Sequence, residues 1–279
     1  MNTCLFCHSN GPFSKPEHII PEALGNDDLI LFDEVCDKCN QYFGSKIENF
    51  VLGKTPIAFW RTFLGIQKKK GKLPHVNLSQ PKKQKGRLSS IHKIHDNFVG
   101  FTCHDDYSIS VDIDDSNIIR DIIAGTQKEF KFVFTPYVLS MMGRFFCKIG
   151  IELLCLNDRK HARSHFFDQA RNFARNGNGI DLWPIFHGQS GTIQVLKKRS
   201  MDNEGLKEEV FCYHYQLLEL DSGYTLLVLT IGTDVWIISL NDPYPKPVIC
   251  DAFPDNKIKL IWYTPEEVEK SSGNRGTHT

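Results

Sequence analysis

The sequence lacks an uninterrupted apolar run long enough to cross a bilayer, although 41% of its 279 residues are hydrophobic. Its first residues also lack the charged and apolar segments of a signal peptide. We therefore expect a soluble, globular, cytoplasmic protein with no membrane partner. The cysteines number nine, an odd count. In a reducing compartment they are expected to be buried thiols or metal ligands rather than a disulfide framework.

Acidic residues are missing from one long stretch of the chain. No Asp or Glu lies between Asn49 and His95, although the whole chain carries 33 acidic and 33 basic residues. Eleven Lys and Arg residues fall in this stretch, so positive charge is concentrated there. Such a segment favours contact with nucleic-acid phosphates, and a solvated linker is the plainer alternative. The residues expected to contact phosphate are Lys68, Lys69, Lys70, Lys72, Lys82, Lys83, Lys85 and Arg87.

Two Cys-x-x-Cys pairs lie near the start of the chain. Cys4 and Cys7 form the first pair, and Cys36 and Cys39 form the second. The two-residue gap lets both thiolates of a pair reach one ion, and four thiolates close the tetrahedral shell that is usual for structural zinc. The spacing therefore predicts a structural zinc site at these four cysteines.

The chain between and after the two pairs has the pattern of a strand, a turn and a helix. Residues 17–21 contain two β-branched residues followed by a proline, which predicts a short strand. Residues 25–28, Gly-Asn-Asp-Asp, predict a turn. From Asp37, which can cap a helix, to about Leu52, apolar residues recur on one face and predict a helix. Asn40 falls in its first turn, where the helix dipole favours an anion such as phosphate.

The order of these motifs resembles the zinc-stapled branch of the HNH endonucleases, whose fold is a ββα-metal finger. Cys-x-x-Cys, Glu-His-Ile-Ile-Pro and Cys-x-x-Cys-Asn carry the resemblance, and they cover residues 4–52, under a fifth of the chain. The resemblance implies that His18 is the general base. It implies that Glu17 and Asn40 bind a catalytic divalent ion, expected to be Mg or Mn, and that Lys46 contacts a phosphate.

Hydrolysis of a phosphodiester requires these residue types. A neutral imidazole can deprotonate water near neutral pH. A hard divalent ion with oxygen ligands can neutralise the transition state and the departing oxygen. One role stays open, because the family has a further asparagine that orients the histidine. Asn26 is the only asparagine in the right interval, and Asp27, Asp28 or a backbone carbonyl are the alternatives.

Beyond the basic stretch, the sequence predicts a domain of helices and antiparallel strands, which makes the whole protein α+β. Helices are expected at about 136–176 and a β meander at about 208–240. We divide the chain into a zinc-bound HNH ββα finger at 1–66, a basic connector at 67–97 and a mixed α+β domain at 98–279.

Two pairs of basic residues in the helical region have helical spacing. Arg171 and Arg175 stand four apart, which suits a second phosphate-contacting face or an amphipathic helix with exposed arginines. His161 and His165 have the same spacing, but no adjacent Glu completes a metal site, and we assign them no role.

The most direct interpretation is a metal-dependent endonuclease that hydrolyses DNA, with RNA as a second substrate class. A zinc finger that binds nucleic acid without cutting is the alternative, and a structural zinc protein whose activity lies in the C-terminal region is a third. Cutting is favoured because Glu17, His18 and Asn40 coincide with the cysteine frame, whereas binding needs no general base. The resemblance also suggests antiviral defence or a mobile element. A homodimer, or a partner protein on the C-terminal domain, stays open.

Overall fold

The structure is a computed structural model that describes most of the N-terminal part of the chain and separate segments of the middle and C-terminal parts. It describes residues 3–63, 66, 75–77, 98–103, 109–113, 116–125, 136–177, 183–189, 196–202, 205–211, 213–232, 234–241 and 261–263. The predicted phosphate contacts at Lys68, Lys69, Lys70, Lys72, Lys82, Lys83, Lys85 and Arg87 lie outside the described residues, and their role stays a prediction.

The N-terminal part, residues 3–63, is called the finger below and contains a small hairpin followed by helices. Its elements are β1 (Glu17–His18), a 3₁₀ turn (Glu22–Leu24), β2 (Ile30–Leu31), α1 (Asp37–Tyr42), a π-helical segment (Phe43–Glu48), α2 (Asn49–Lys54) and α3 (Pro56–Phe63). The two strands are antiparallel, with Glu17 opposite Leu31 and His18 opposite Ile30. From α1 to α2 the backbone is helical without a break, so the finger has the predicted order of two strands and a helix.

Local chemistry explains how the hairpin and the helix form. Gly25 ends the 3₁₀ turn at φ 89°, a left-handed conformation that glycine adopts at little steric cost. Asn26 is buried and closes the loop, because its amide nitrogen donates to Ile20 O at 2.6 Å and to Leu29 O at 3.1 Å. In the helix, the apolar stripe that includes Phe43 and Ile47 is buried in the core.

The middle of the chain contributes a small sheet and the main helices. The small sheet pairs β3 (His75–Asn77), β4 (Phe98–Cys103) and β5 (Ile109–Ile113) in that order, and α4 (Ser116–Ile123) follows it. The main helices are α5 (Pro136–Asn157), α6 (Arg159–Ala162), a 3₁₀ turn (His165–Phe167) and α7 (Asp168–Asn176).

The C-terminal strands form an antiparallel sheet of five and a separate hairpin. The strands are β6 (Ile185–Gln189), β7 (Leu196–Asp202), β8 (Gly205–Phe211), β9 (Tyr213–Glu219), β10 (Thr225–Ile231), β11 (Asp234–Ser239) and β12 (Ile261–Tyr263). The five-stranded order is β12-β6-β11-β10-β9, and β7 pairs with β8. Because β9, β10 and β11 follow one another in both sequence and space, they form a meander.

One buried hydrophobic cluster joins the finger, α5 and the five-stranded sheet. It contains Phe43 of the finger, Phe145 and Phe146 of α5, and Trp236 of β11. The rings of Phe146 and Trp236 lie 5.5 Å apart. The predicted α+β fold class is confirmed, whereas the predicted domain boundaries stay a prediction. Among the described residues, no helix combines the length and the apolar character that a membrane crossing needs.

Candidate active site and metal centre

The four predicted zinc ligands lie together at one end of the finger. The sulfur atoms of Cys4, Cys7, Cys36 and Cys39 all lie within 4.8 Å of one another, and those of Cys7 and Cys36 are 3.5 Å apart. Four thiolates bound tetrahedrally at 2.3 Å would be about 3.8 Å apart, so this arrangement fits a zinc ion. Across the described part of the chain, this is the one group of three or more His, Cys, Asp or Glu residues placed to hold a metal ion.

Tight turns bring the two cysteines of each pair close together. His8 N donates to Cys4 O at 3.0 Å, and Cys39 N donates to Cys36 O at 2.9 Å. A hydrogen bond with Cys39 lowers the pKa of Cys4 to about 4, and the same contact raises the pKa of Cys39. One thiolate is therefore already favoured in the group, as zinc binding requires.

Arginines of α7 contact protein atoms rather than forming an exposed phosphate-binding face. Arg175 Nε donates to Cys39 Sγ at 3.2 Å, and its guanidinium lies over the Tyr42 ring at 3.9 Å. Arg171 is buried and donates to Ser164 O at 2.9 Å. Arg175 therefore connects α7 to the cysteine group, as residues behind metal ligands commonly do.

A cleft of about 540 Å³ lies between β1 and the continuous helix of residues 37–54, which is called the finger helix below. Its walls include all three residues predicted for the catalytic centre: Glu17, His18 and Asn40. Residues that sequence reasoning did not assign to the centre also line it, notably Glu22, Glu48, Lys15 and Arg61. The structure therefore brings the predicted residues together in one concave site.

Glu17 is buried at the floor of the cleft and has a cationic partner. Its Oε1 lies 2.7 Å from Nζ of Lys148 on α5, and both side chains are almost fully enclosed. Burial raises the pKa of the Glu17 carboxyl, and the ammonium opposes that shift. The second oxygen, Oε2, is buried and has no hydrogen-bond partner within the described residues.

His18 is partly exposed and pairs with a carboxylate four residues later. Its Nε2 lies 2.9 Å from Glu22 Oε1, which the 3₁₀ turn after β1 brings back over the strand. The other ring nitrogen, Nδ1, is buried and has no hydrogen-bond partner in the described parts of the chain. Asn26, considered from the sequence as the orienting residue, instead holds the loop between β1 and β2.

Asn40 faces the strand from the finger helix. Its Nδ2 donates to Pro16 O at 2.9 Å, which leaves the amide oxygen as the atom that could bind a cation. Asp37 stands next to the helix N-cap, which is Cys36, and its carboxylate accepts from Ser14 N at 2.8 Å. The helix start is therefore fastened to the chain that leads into β1.

These groups suit a hard divalent cation. A carboxylate oxygen and an amide oxygen are ligand atoms that Mg²⁺ and Mn²⁺ accept. The buried Glu17 Oε2 in particular lacks the partner that buried polar atoms normally have. Glu17 and Asn40 could therefore hold such an ion in the cleft.

The predicted phosphate contact at Lys46 lies away from this centre. Lys46 is exposed on the π-helical segment and does not line the cleft, so its role stays a prediction. The sequence analysis did not identify Lys148, although its position follows a recognisable pattern. Lys148 and Glu152 continue the apolar positions Met141 and Phe145 at spacings of three and four, which places two charges on a buried helix face.

Comparison with known families agrees with this geometry. Residues 4–54 match the family model described as HNH endonuclease, which confirms the resemblance inferred for the finger. The match supports nuclease activity in general. No curated protein and no solved structure matches the chain.

Proposed function

We propose that this protein is a metal-dependent endonuclease that hydrolyses DNA phosphodiester bonds in the cleft of its HNH finger. The observation that carries the proposal is the meeting of Glu17, His18 and Asn40 in one cleft of a finger that also contains a four-cysteine group. A finger that only binds nucleic acid needs neither a base nor a cation site. A general base close to candidate cation ligands is the arrangement that hydrolysis requires.

His18 is the proposed general base, and its hydrogen bonding assigns the two ring nitrogens. Nε2 faces the Glu22 carboxylate at 2.9 Å, so the imidazole proton resides there. Nδ1 is then the unprotonated nitrogen, and because it is buried, it accepts a proton only from a water that enters the cleft beside it. Glu22 holds the ring in this tautomer and is the proposed orienting residue.

Glu17 and Asn40 are the proposed holders of the catalytic ion, with Mg or Mn as the expected metal. When bound, such an ion supplies charge neutralisation at the phosphate and at the departing 3′ oxygen. Lys15 and Arg61 line the same cleft and are suited to contact the substrate backbone. A role in antiviral defence is the wider proposal that follows from the family resemblance. A cytoplasmic location, suggested by the cysteine usage, and cutting of both strands by two copies of this small nuclease are further proposals.

A plasmid-nicking assay with Mg²⁺ or Mn²⁺ tests the proposal, comparing the native protein with His18→Ala. Loss of a general base is expected to lower the rate by about 10²–10⁴-fold without loss of zinc. His161→Ala is the matched control, because His161 also lies beside a glutamate but does not line the cleft. Its rate is expected to equal that of the native protein.

The same assay separates cutting from binding alone. If native protein and His18→Ala bind DNA equally and neither nicks it, the finger is a binding module and the proposal is wrong. If both nick equally, His18 is not the base. Parallel reactions on RNA decide between the two substrate classes.

A further inference from the structure

We propose that Lys148 is a positioning residue of the nuclease centre, supplied by α5 from outside the finger. Its ammonium holds the Glu17 carboxylate and the backbone of His18 in place. The inference deepens the proposed function and rests on it. It also extends the centre beyond the family match, which ends at residue 54.

The geometry of the ammonium is the first support. Lys148 Nζ donates to His18 O at 2.8 Å and to Ile19 O at 3.2 Å, so it holds the backbone of β1 as well as the Glu17 side chain. It also lies 3.0 Å from Glu48 Oε1 on the finger helix and 3.1 Å from Glu152 Oε2 on α5. One side chain therefore joins the strand, the finger helix and α5 at the base of the cleft.

The burial of Lys148 is the second support. The side chain is fully enclosed, and a buried ammonium is unfavourable unless anions and hydrogen bonds surround it. Three glutamate oxygens and two backbone carbonyls surround the ammonium at 2.7–3.2 Å. These partners meet that requirement and hold the ammonium against β1.

The consequence for Glu17 is specific. Because Lys148 occupies Oε1, the carboxylate presents Oε2, which has no hydrogen-bond partner among the described residues. The ammonium thus fixes which oxygen of Glu17 is available to a cation. Residues behind a metal ligand commonly act in this way by setting the ligand's orientation.

Arg171 is a buried basic residue that has no contact with the cleft, and it serves as a comparison for Lys148. Arg171 and Lys148 are the two buried side chains of the Lys and Arg type among the described residues. The guanidinium of Arg171 bonds to Ala162 O, Ser164 O and Asp168, all within its own helical region. No cleft residue is among these partners, so Arg171 is a matched control for the loss of a buried cation.

The experiment uses the double variant Lys148→Met/Glu152→Gln in the full chain. Removing Lys148 alone leaves buried carboxylates without a cation and is expected to impair folding, whereas the double variant removes one charge of each sign. Zinc content and thermal unfolding report on folding. Calorimetric titration with Mn²⁺ in the absence of DNA reports on the cation site, and plasmid nicking gives kcat and KM.

The double variant is expected to keep its zinc. Its Mn²⁺ affinity and its kcat are each expected to fall by about 10- to 100-fold, with KM for DNA unchanged. Arg171→Met is expected to lower the unfolding temperature while leaving Mn²⁺ affinity and kcat as in the native protein.

Two outcomes overturn the inference. The first is a folded double variant whose Mn²⁺ affinity and kcat stay within about twofold of the native values. The second is tighter Mn²⁺ binding, which would mean that the ammonium only competes with the cation. If the native protein does not nick DNA, the proposed function fails. The Mn²⁺ titrations then still decide the role of Lys148. Glu17→Gln, which lacks the proposed cation ligand, gives the reference affinity for a protein without the cation site.

Discussion

Glu17 and His18 are neighbours in sequence but have different partners. Glu17 is buried against Lys148, and His18 is partly exposed against Glu22. The buried carboxylate is thereby fixed by an ammonium, whereas the imidazole keeps access to the cleft. Two adjacent residues thus have different environments, which suits the two separate roles proposed for them.

Replacing Glu22 tests its role at the scale of a single residue. Glu22→Ala removes the acceptor of the Nε2 proton and is expected to lower kcat by about tenfold or more, with KM for DNA unchanged. Glu22→Gln keeps an acceptor oxygen at the ε position, where the glutamate has one. Its rate is therefore expected to be much closer to the native rate than that of Glu22→Ala. Steady-state nicking kinetics measure both.

Glu219→Ala is the control for this series. Glu219 also lies near a histidine, with 4.0 Å between its Oε1 and His161 Nε2, but it is exposed and outside the cleft. Its loss is expected to leave kcat unchanged. A Glu22→Gln variant as slow as Glu22→Ala would contradict the orienting role, because the amide oxygen can still accept the hydrogen bond.

The finger's elements depend on contacts distant in sequence. Strands of two residues are too short to be stable alone. The hairpin is held by the loop bonds of Asn26, and the start of the finger helix is held by the bonds between Asp37 and Ser14. The cysteine group joins the first turn of the chain to the helix start. We therefore expect the distance across the cleft from β1 to Asn40 to depend on a zinc ion bound by the four cysteines.

Cys36→Ser tests this dependence at the scale of an element. Structural zinc contributes on the order of 10 kcal/mol to the folding of small zinc modules, so loss of one ligand is expected to release the ion and open the finger. Metal analysis should show zinc falling from one per chain toward none. Hydrogen exchange should show lost protection in β1 and α1, and nicking should fail.

Cys155→Ser is the control, since Cys155 is a buried cysteine outside the zinc group. Burial raises the pKa of this thiol to about 12, so it is neutral and inert. The variant is expected to keep zinc and nicking activity. A Cys36→Ser protein that retains zinc and an ordered finger would refute the four-cysteine assignment.

At the scale of the whole molecule, α5 packs against both the finger and the five-stranded sheet. Lys148 reaches the cleft, and Gly150, two residues later, lies against Leu240 after β11. A Cβ at Gly150 would lie 2.5 Å from Leu240 Cδ2, closer than atoms in contact can approach. The helix backbone therefore lies directly on this part of the core, and α5 has little freedom to shift relative to the cleft.

Gly150→Ala tests the close packing. Overpacking in a filled core is expected to destabilise the protein by about 1–3 kcal/mol, measured by urea unfolding. Gly53→Ala is the matched control in α2, where an added Cβ has no atom within 4 Å. That change is expected to stabilise by about 0.5–1 kcal/mol, because alanine loses less conformational entropy on folding. Equal effects at both positions would show that the contact with Leu240 is loose.

The sequence alone predicted that four cysteines form one metal-binding group, and it predicted the order of strand, turn and helix; the structure has both. These two features could be predicted because they depend on local spacing, whereas Glu17, His18 and Asn40 were singled out by the family resemblance. The two gaps Cys-x-x-Cys and the helical stripe from Phe43 onward act over a few residues and need no distant partner. The α+β class followed from the same local patterns.

Only the tertiary structure shows which residues outside the sequence motif contact Glu17 and His18. Lys148 bonds to His18 O from 130 residues away, and only packing of α5 against the finger brings these atoms together. Glu22 lies near His18 in sequence, but the turn that folds it back over the ring depends on the buried loop bonds of Asn26. Which buried side chains contact each other depends on how distant segments pack together. The local spacing of residues in a single sequence does not reveal that packing. The cysteine group can thus be read from the sequence, whereas the contacts that hold Glu17 and His18 arise only when α5 packs against the finger.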